Sequence, residues 1–257
     1  PTFGNVDNRQ YENVGGEKGD LAKDQRDEAG GLAVYSEDVF SVTPRFSLVG
    51  GLRYDRSRRA VEDEFLSDGD QTDERTFEAI LPKIGFLYEL SGFEGQVFGN
   101  ASRIYEPPLL LELNSLTVPG FIDLDAQDAW QFEIGTRGRA GAWRWQLSAY
   151  DMEIEDGILD VNVQPFPGAP FTVPTYRNAD ETRHWGIEAG IDASTPVRAL
   201  AKDGGETLGM RLAYTLSRFM YVSDPTFEDK EIPGIPAHVV QLELSYAHRV
   251  GLSISPS

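Results

Sequence analysis

One feature limits this chain more than any other. Apolar side chains recur at every second position, segment after segment. Trp130, Phe132 and Ile134 alternate with Gln131, Glu133 and, further on, Arg137. Trp143, Trp145, Leu147 and Ala149 oppose Arg144, Gln146, Ser148 and Tyr150. In residues 176–191, YRNADETRHWGIEAGI, one phase holds Trp185, Ile187, Ala189 and Ile191. The other phase holds His184, Gly186, Glu188 and Gly190, and continues to Asp192. Period two is the period of a β-strand, whose successive side chains point to opposite faces. Each segment therefore predicts a strand with one apolar and one polar face. Two architectures use such strands: a soluble sandwich whose apolar faces meet each other, and a membrane barrel whose apolar face meets lipid.

The connections separate these two. The grammar begins at Gly31 and predicts about ten strands; residues 1–30 are polar, Gly-rich and aperiodic, and read as a loop. Pro82 falls in the first part of its strand, where a missing donor is tolerated best. Short turns are expected at 43–45, 91–95, 138–142 and 247–251. Long polar loops are expected at 57–75, 106–128, 157–175 and 218–237, with an intermediate connection at 194–207. Membrane barrels sort their connections in this way, with short periplasmic turns and long outer loops. A sandwich has no reason to do so. Phe46, Tyr88, Trp143 and Tyr246 stand beside short turns on the apolar phase, where an aromatic girdle at the membrane interface belongs. The polar phase carries Arg53, Arg137, Arg144 and Arg211. On a lipid face near the midplane each would cost roughly 2–4 kcal/mol, a cost that disappears on a wet wall. The expected fold class is all-β: an antiparallel transmembrane β-barrel segment of about ten strands, with long outer loops and short periplasmic turns.

Composition serves mainly to exclude. No apolar run reaches the length of a spanning helix. The absence of cysteine removes disulfide scaffolds, thiol nucleophiles and cysteine metal sites. A net charge of −19 argues against a nucleic-acid partner, because such binding rests on neutralising phosphates. The chain opens Pro1-Thr2-Phe3-Gly4, without a basic and apolar leader.

Eight ordered segments resemble a known family. They are VYSEDVFSVTPRFSLVGGLRYD (34–55), LPKIGFLYEL (81–90), GNASRIYEPPLLLEL (99–113), DAWQFEIGTRG (128–138), WRWQLSAYDMEIEDGIL (143–159), YRNADETRHWGIEAGI (176–191), LAYTLSRF (212–219) and IPGIPAHVVQLELSY (232–246). In this order they resemble the barrel domain of TonB-dependent outer-membrane receptors. The resemblance implies a barrel of about twenty-two strands around a globular plug. It also implies location in the outer membrane of a Gram-negative bacterium, contact with its lipid, and TonB-energised uptake of a ferric siderophore or other metal chelate. The plug, through which the TonB complex would act, and the final strands are expected to lie outside residues 1–257. The whole chain then reads as one partial barrel domain.

Candidate chemistry is sparse. The carboxylates Glu62, Asp63, Glu64, Asp68, Asp70, Asp73 and Glu74 are oxygen donors of the kind calcium takes, but they miss the spacing of a calcium loop and read as a solvated loop. His184, His238 and His248 fall in separate elements without ligand spacing, so no metal is assigned. Glu153, Glu155 and Asp156 could be a hydrolytic pair but read as a polar rim. No nucleophile elbow or phosphate-binding glycine loop occurs, so neither an enzyme nor a cofactor is expected. Ligand recognition at the outer mouth remains. Anionic chelates call for arginine and aromatic side chains, which nominates Arg103, Tyr105, Arg177 and Arg183 near the ends of two strands. The competing role for these arginines is to neutralise rim carboxylates.

Overall fold

The computed structural model describes residues 1–114, 119–197, 205–227, 229–248 and 253–254. Its strands are β1 (Thr2–Val14), β2 (Glu17–Thr43), β3 (Phe46–Asp63), β4 (Asp73–Glu89), β5 (Glu94–Glu106), β6 (Gln127–Ala140), β7 (Trp143–Val163), β8 (Val173–Val197), β9 (Glu206–Tyr221), β10 (His238–Ala247) and β11 (Ser253–Ile254). They form one antiparallel sheet in which every strand pairs with its sequence neighbours. A four-residue helix, α1 (Leu110–Leu113), interrupts the β5–β6 connection.

Register carries the alternation from strand to strand. Phe46 pairs with Tyr88, Leu48 with Phe86, Ala101 with Phe132, Ile187 with Leu216 and Leu212 with Leu242. One face is therefore apolar across the sheet, and it is uncovered: Ile84 is 64% exposed, Ile134 58% and Val240 66%. Soluble monomers do not expose an apolar surface on this scale. Among the described residues no second sheet packs on it, as a sandwich would require. Phe46, Tyr88, Trp143 and Tyr246 all stand on this face beside short connections. Phe93 and Trp145 join them, their ring centroids 5.6 Å apart.

The polar face is stitched by cross-strand pairs. Lys83 Nζ donates to Glu37 at 2.8 Å, Asn100 to Glu133 at 3.1 Å, and Arg211 to Asp192 at 2.8 Å. Several rings cover a glycine directly opposite. Tyr150 faces Gly186, where a Cβ would collide with the Leu216 carbonyl and stand 2.6 Å from the tyrosine hydroxyl. Gly186, one of the two polar-phase glycines of the residue 176–191 stretch, is thus a seat for an aromatic side chain.

The structure corrects the expectation for residues 1–30. They are not a loop: β1 and the first half of β2 form a long ribbon turned by Gly15 and Gly16, at φ 64° and 96°. Positive φ at both centres suits a tight hairpin turn. The ribbon is polar on both sides, so it carries no apolar phase to reveal it. Arg9–Asp24 and Arg26–Asp7 ion pairs and Lys18 over the Tyr11 ring hold it instead. The connection at this end is therefore only two residues long.

Other strands also run further than their apolar phase. The connections expected at 57–75 and 157–175 shrink to 64–72 and 164–172. Residues 198–204, within the intermediate connection, and most of the expected 247–251 turn lie outside the described residues.

The small core lies under the β5–β6 connection. Val61, Leu113, Phe121 and Leu124 are buried together, with Phe77, Ile158 and Tyr176 against them. Val61, Phe77, Ile158 and Tyr176 belong to the polar phase of their strands, so this connection folds over the polar face. Asp73 accepts from Phe121 N–H, Gln71 from Gly120 N–H, and Arg59 donates to the Pro108 carbonyl.

Candidate ligand-binding surface

The β4–β5 ladder ends at the Lys83–Ser102 pair. Next to it stands Pro82, which supplies no N–H. Beyond this point β4 pairs only with β3, and β5 only with β6. The split is a seam in the sheet, and Arg103 fills it. Its Nη1 donates to the Ile80 carbonyl across the seam at 3.2 Å. Its Nε reaches Asp128 at 2.9 Å, and Nη2 closes a bidentate pair with the same carboxylate.

Two concavities open at the seam. One, on the polar face, has a volume of about 440 Å³ and is lined by Tyr35, Glu37, Arg53, Asp55, Lys83, Arg103 and Tyr105, among others. Tyr35 is 76% exposed there. Arg53 and Lys83 are held by Asp55 and Glu37. Tyr105 adds a second phenol at the far end of β5. The other concavity, about 430 Å³, is on the opposite face and includes Pro82, Trp130, Glu153, Glu155 and Glu181. Register sets Glu155 opposite both Asp128 and Glu181, so the polar rim read around Glu153 is an acidic row on the continuation of the apolar phase.

The four nominated residues therefore divide. Arg103 and Tyr105, on the phase of Trp130, border the polar-face concavity at the seam, and Arg103 also lines the concavity on the opposite face. Arg177 and Arg183 share the phase of Trp185, and neither lines that concavity. Arg183 holds Asp151 through two bonds, of 2.9 and 2.6 Å. Arg177 Nη2 lies 2.8 Å from the fully buried Asp224. Burial acts to raise the Asp224 pKa, but the N–H groups of Thr226 and Phe227 and the Arg177 guanidinium outweigh it and hold the pKa low. All three arginines thus have carboxylate partners, Asp128 and Asp151 on wall strands and Asp224 in the β9–β10 connection.

Tyr35, Glu37 and Asp55 are site residues that the sequence does not nominate. Their signal is their shared polar phase on β2 and β3, visible only once register sets those strands beside β4. The carboxylates at the β3–β4 connection serve the connection itself. Asp63 accepts from Phe65 and Gln71 N–H, Asp70 from Thr72 N–H, and Glu74 pairs with Arg58. The Asp68 side chain lies outside the described residues. His184 is stacked flat on Phe219, with centroids 4.1 Å apart.

Known proteins share this fold. The sequence model of the family described as "TonB dependent receptor-like, beta-barrel" matches residues 2–254. Among solved structures, the copper transporter OprC aligns with a TM-score of 0.66 at 17% identity, over 93% of this chain and 36% of its own. The ferric-catecholate import receptor Fiu from E. coli aligns at 0.64 and 17%, over 92% and 35%. The pyoverdine outer membrane receptor FpvA from Pseudomonas aeruginosa aligns at 0.63 and 19%, over 92% and 31%. The chain spans about a third of the length of these structures. The shared fold is a segment of an antiparallel transmembrane β-barrel.

Proposed function

This chain belongs to the TonB-dependent receptor β-barrel family, and on that premise we propose that it forms part of the wall of an outer-membrane receptor for TonB-energised uptake of a ferric siderophore or related metal chelate. The apolar face then meets outer-membrane lipid of a Gram-negative bacterium, and the polar face lines the lumen. The observation that carries the reading is the pair of faces: an uncovered apolar face, and an opposite face with paired charges and an open concavity. Neither face suits a chain surrounded by water alone.

Ligand contact is assigned to the lumenal concavity at the seam. Tyr35 offers an exposed aromatic ring, and Arg53, Lys83 and Arg103 offer cations whose carboxylate partners set their geometry. Arg177 and Arg183 are assigned to holding the outer wall.

The reading is tested in a strain lacking the full-length gene, grown on single ferric chelates and, separately, under copper limitation. Loss of growth on at least one ferric chelate is expected, with rescue by the intact gene and weaker rescue by Tyr35→Ala. Rescue should also require an energised inner membrane. Uptake that persists when the proton gradient is collapsed would instead identify a passive pore. Unchanged growth on every ferric source would remove the iron assignment.

A further inference from the structure

A single row of charges crosses the polar face near the short connections. By register it runs Glu94, Arg139, Arg144, Asp192, Arg211 and Glu243, each residue directly opposite the next on strands β5 to β10. Five neighbouring pairs make up this row, and four of them join opposite signs. Asp192 and Arg211 close to 2.8 Å, and Arg211 reaches Glu243 at 3.5 Å. The fault is at the β6–β7 junction, where Arg139 stands directly opposite Arg144.

Like charges directly opposite in a sheet destabilise it. On their other sides Arg139 faces Glu94 and Arg144 faces Asp192, but neither arginine closes an ion pair among the described residues. Among the described residues Arg139 donates only to the Gly141 carbonyl, at 3.4 Å. A third cation stands beside them on the same phase. Arg137 donates to the neutral amide of Gln96 at 2.7 Å and lies over the Phe98 ring, so it too closes no ion pair among the described residues. Three arginines without a closed ion pair among the described residues, on two adjacent strands, are unexpected in a chain with a net charge of −19. They line a concavity of about 830 Å³ with Glu94, Glu188, Asp192 and Arg211.

We propose that the Arg137–Arg139–Arg144 patch is an anion-binding site for a carboxylate or phosphate group, bridged by the two opposed guanidiniums. Opposed side chains in a sheet start from Cβ atoms about 4.5–5.5 Å apart, so two guanidinium forks can converge on one planar or tetrahedral oxyanion. The anion removes the repulsion that the register creates. Register and charge call for it whichever cargo the receptor carries.

The ligand chemistry has two sources, a carboxylate elsewhere in the receptor's own chain or a free solute anion. Both are tested on the full-length receptor in detergent. In the first arm, Arg144→Lys keeps the cation and adds a carbodiimide-reactive amine. A zero-length cross-link from position 144 to an Asp or Glu outside residues 1–257 identifies the internal source. In the second arm, citrate and inorganic phosphate are titrated by calorimetry into wild-type receptor and into the Arg139→Gln, Arg144→Gln double variant. Wild-type binding that weakens at least tenfold in the double variant identifies the solute source. Heat-modifiable migration checks that each variant is folded, and Arg183→Gln, on the other face, should leave both readouts unchanged. A cross-link only to Glu94, Glu188 or Asp192 together with no difference in titration overturns the proposal, as does the absence of any cross-link and any binding.

Discussion

Arg177 brings a full positive charge into the upper wall and directs it at Asp224, a carboxylate without solvent exposure. Removing the arginine leaves that carboxylate buried with two N–H donors and no cation. Such a loss costs roughly 1–3 kcal/mol. Arg177→Ala should therefore loosen the β9–β10 connection, read as faster amide exchange at 224–227. Because the folded pKa of Asp224 is held low, its stabilisation is complete above the ordinary carboxylate value of about 3.9 and is lost as pH falls through the folded pKa. The difference between wild type and Arg177→Ala should thus be present at neutral pH and vanish in strong acid. Identical exchange at neutral pH would contradict this role. The sequence shows why Arg177 stands out but not what it holds. Its partner comes from a connection that reaches it only through the fold, and Asp151 reaches Arg183 only through the pairing of β7 with β8. Type and phase are local properties of the chain; ion-pair partners are not.

Whole strands follow the same division. Where one side of a strand is apolar, the period of two shows it: Trp130 to Ile134 and Trp185 to Ile191 are legible at once. Where both sides are polar, as in β1 and the first half of β2, nothing distinguishes a strand from a loop except its turn residues. The Gly15-Gly16 pair is the available signal. Pro82 is legible as a ladder problem, but its consequence needs the register. It ends the β4–β5 pairing and leaves Arg103 to bridge the seam. Arg103→Gln keeps a polar side chain but loses the bidentate hold on Asp128. Exchange should then speed about fivefold, or roughly 1 kcal/mol, at amides 78–81 and 103–106, while amides of the β6–β7 ladder keep their rates. Uniform acceleration across both regions would mean that Arg103 supports the sheet as a whole and not the seam.

For the molecule as a whole, the decisive property is that its two faces require different surroundings. An edge-bearing sheet is not itself a membrane structure, because unpaired backbone groups are costly in lipid. On the proposed function, the segment acts only within a closed barrel. The faces can still be tested singly, since adjacent residues on β6 point to opposite sides. Phe132 stands on the apolar face, 49% exposed and stacked with Trp130, while Gln131 shares the phase of Glu133 and Arg137. An arginine at position 132 would meet lipid at a cost of about 2–4 kcal/mol near the midplane. At position 131 it would join a wall that already carries Arg53, Arg137, Arg144 and Arg211. In the full-length receptor, Phe132→Arg should therefore reduce the heat-modifiable folded barrel recovered from outer membranes, and Gln131→Arg should leave it near the wild-type amount. Equal losses from both substitutions would mean that the two sides of β6 meet the same solvent, and the assignment of one face to lipid and the other to the lumen would fall with that result.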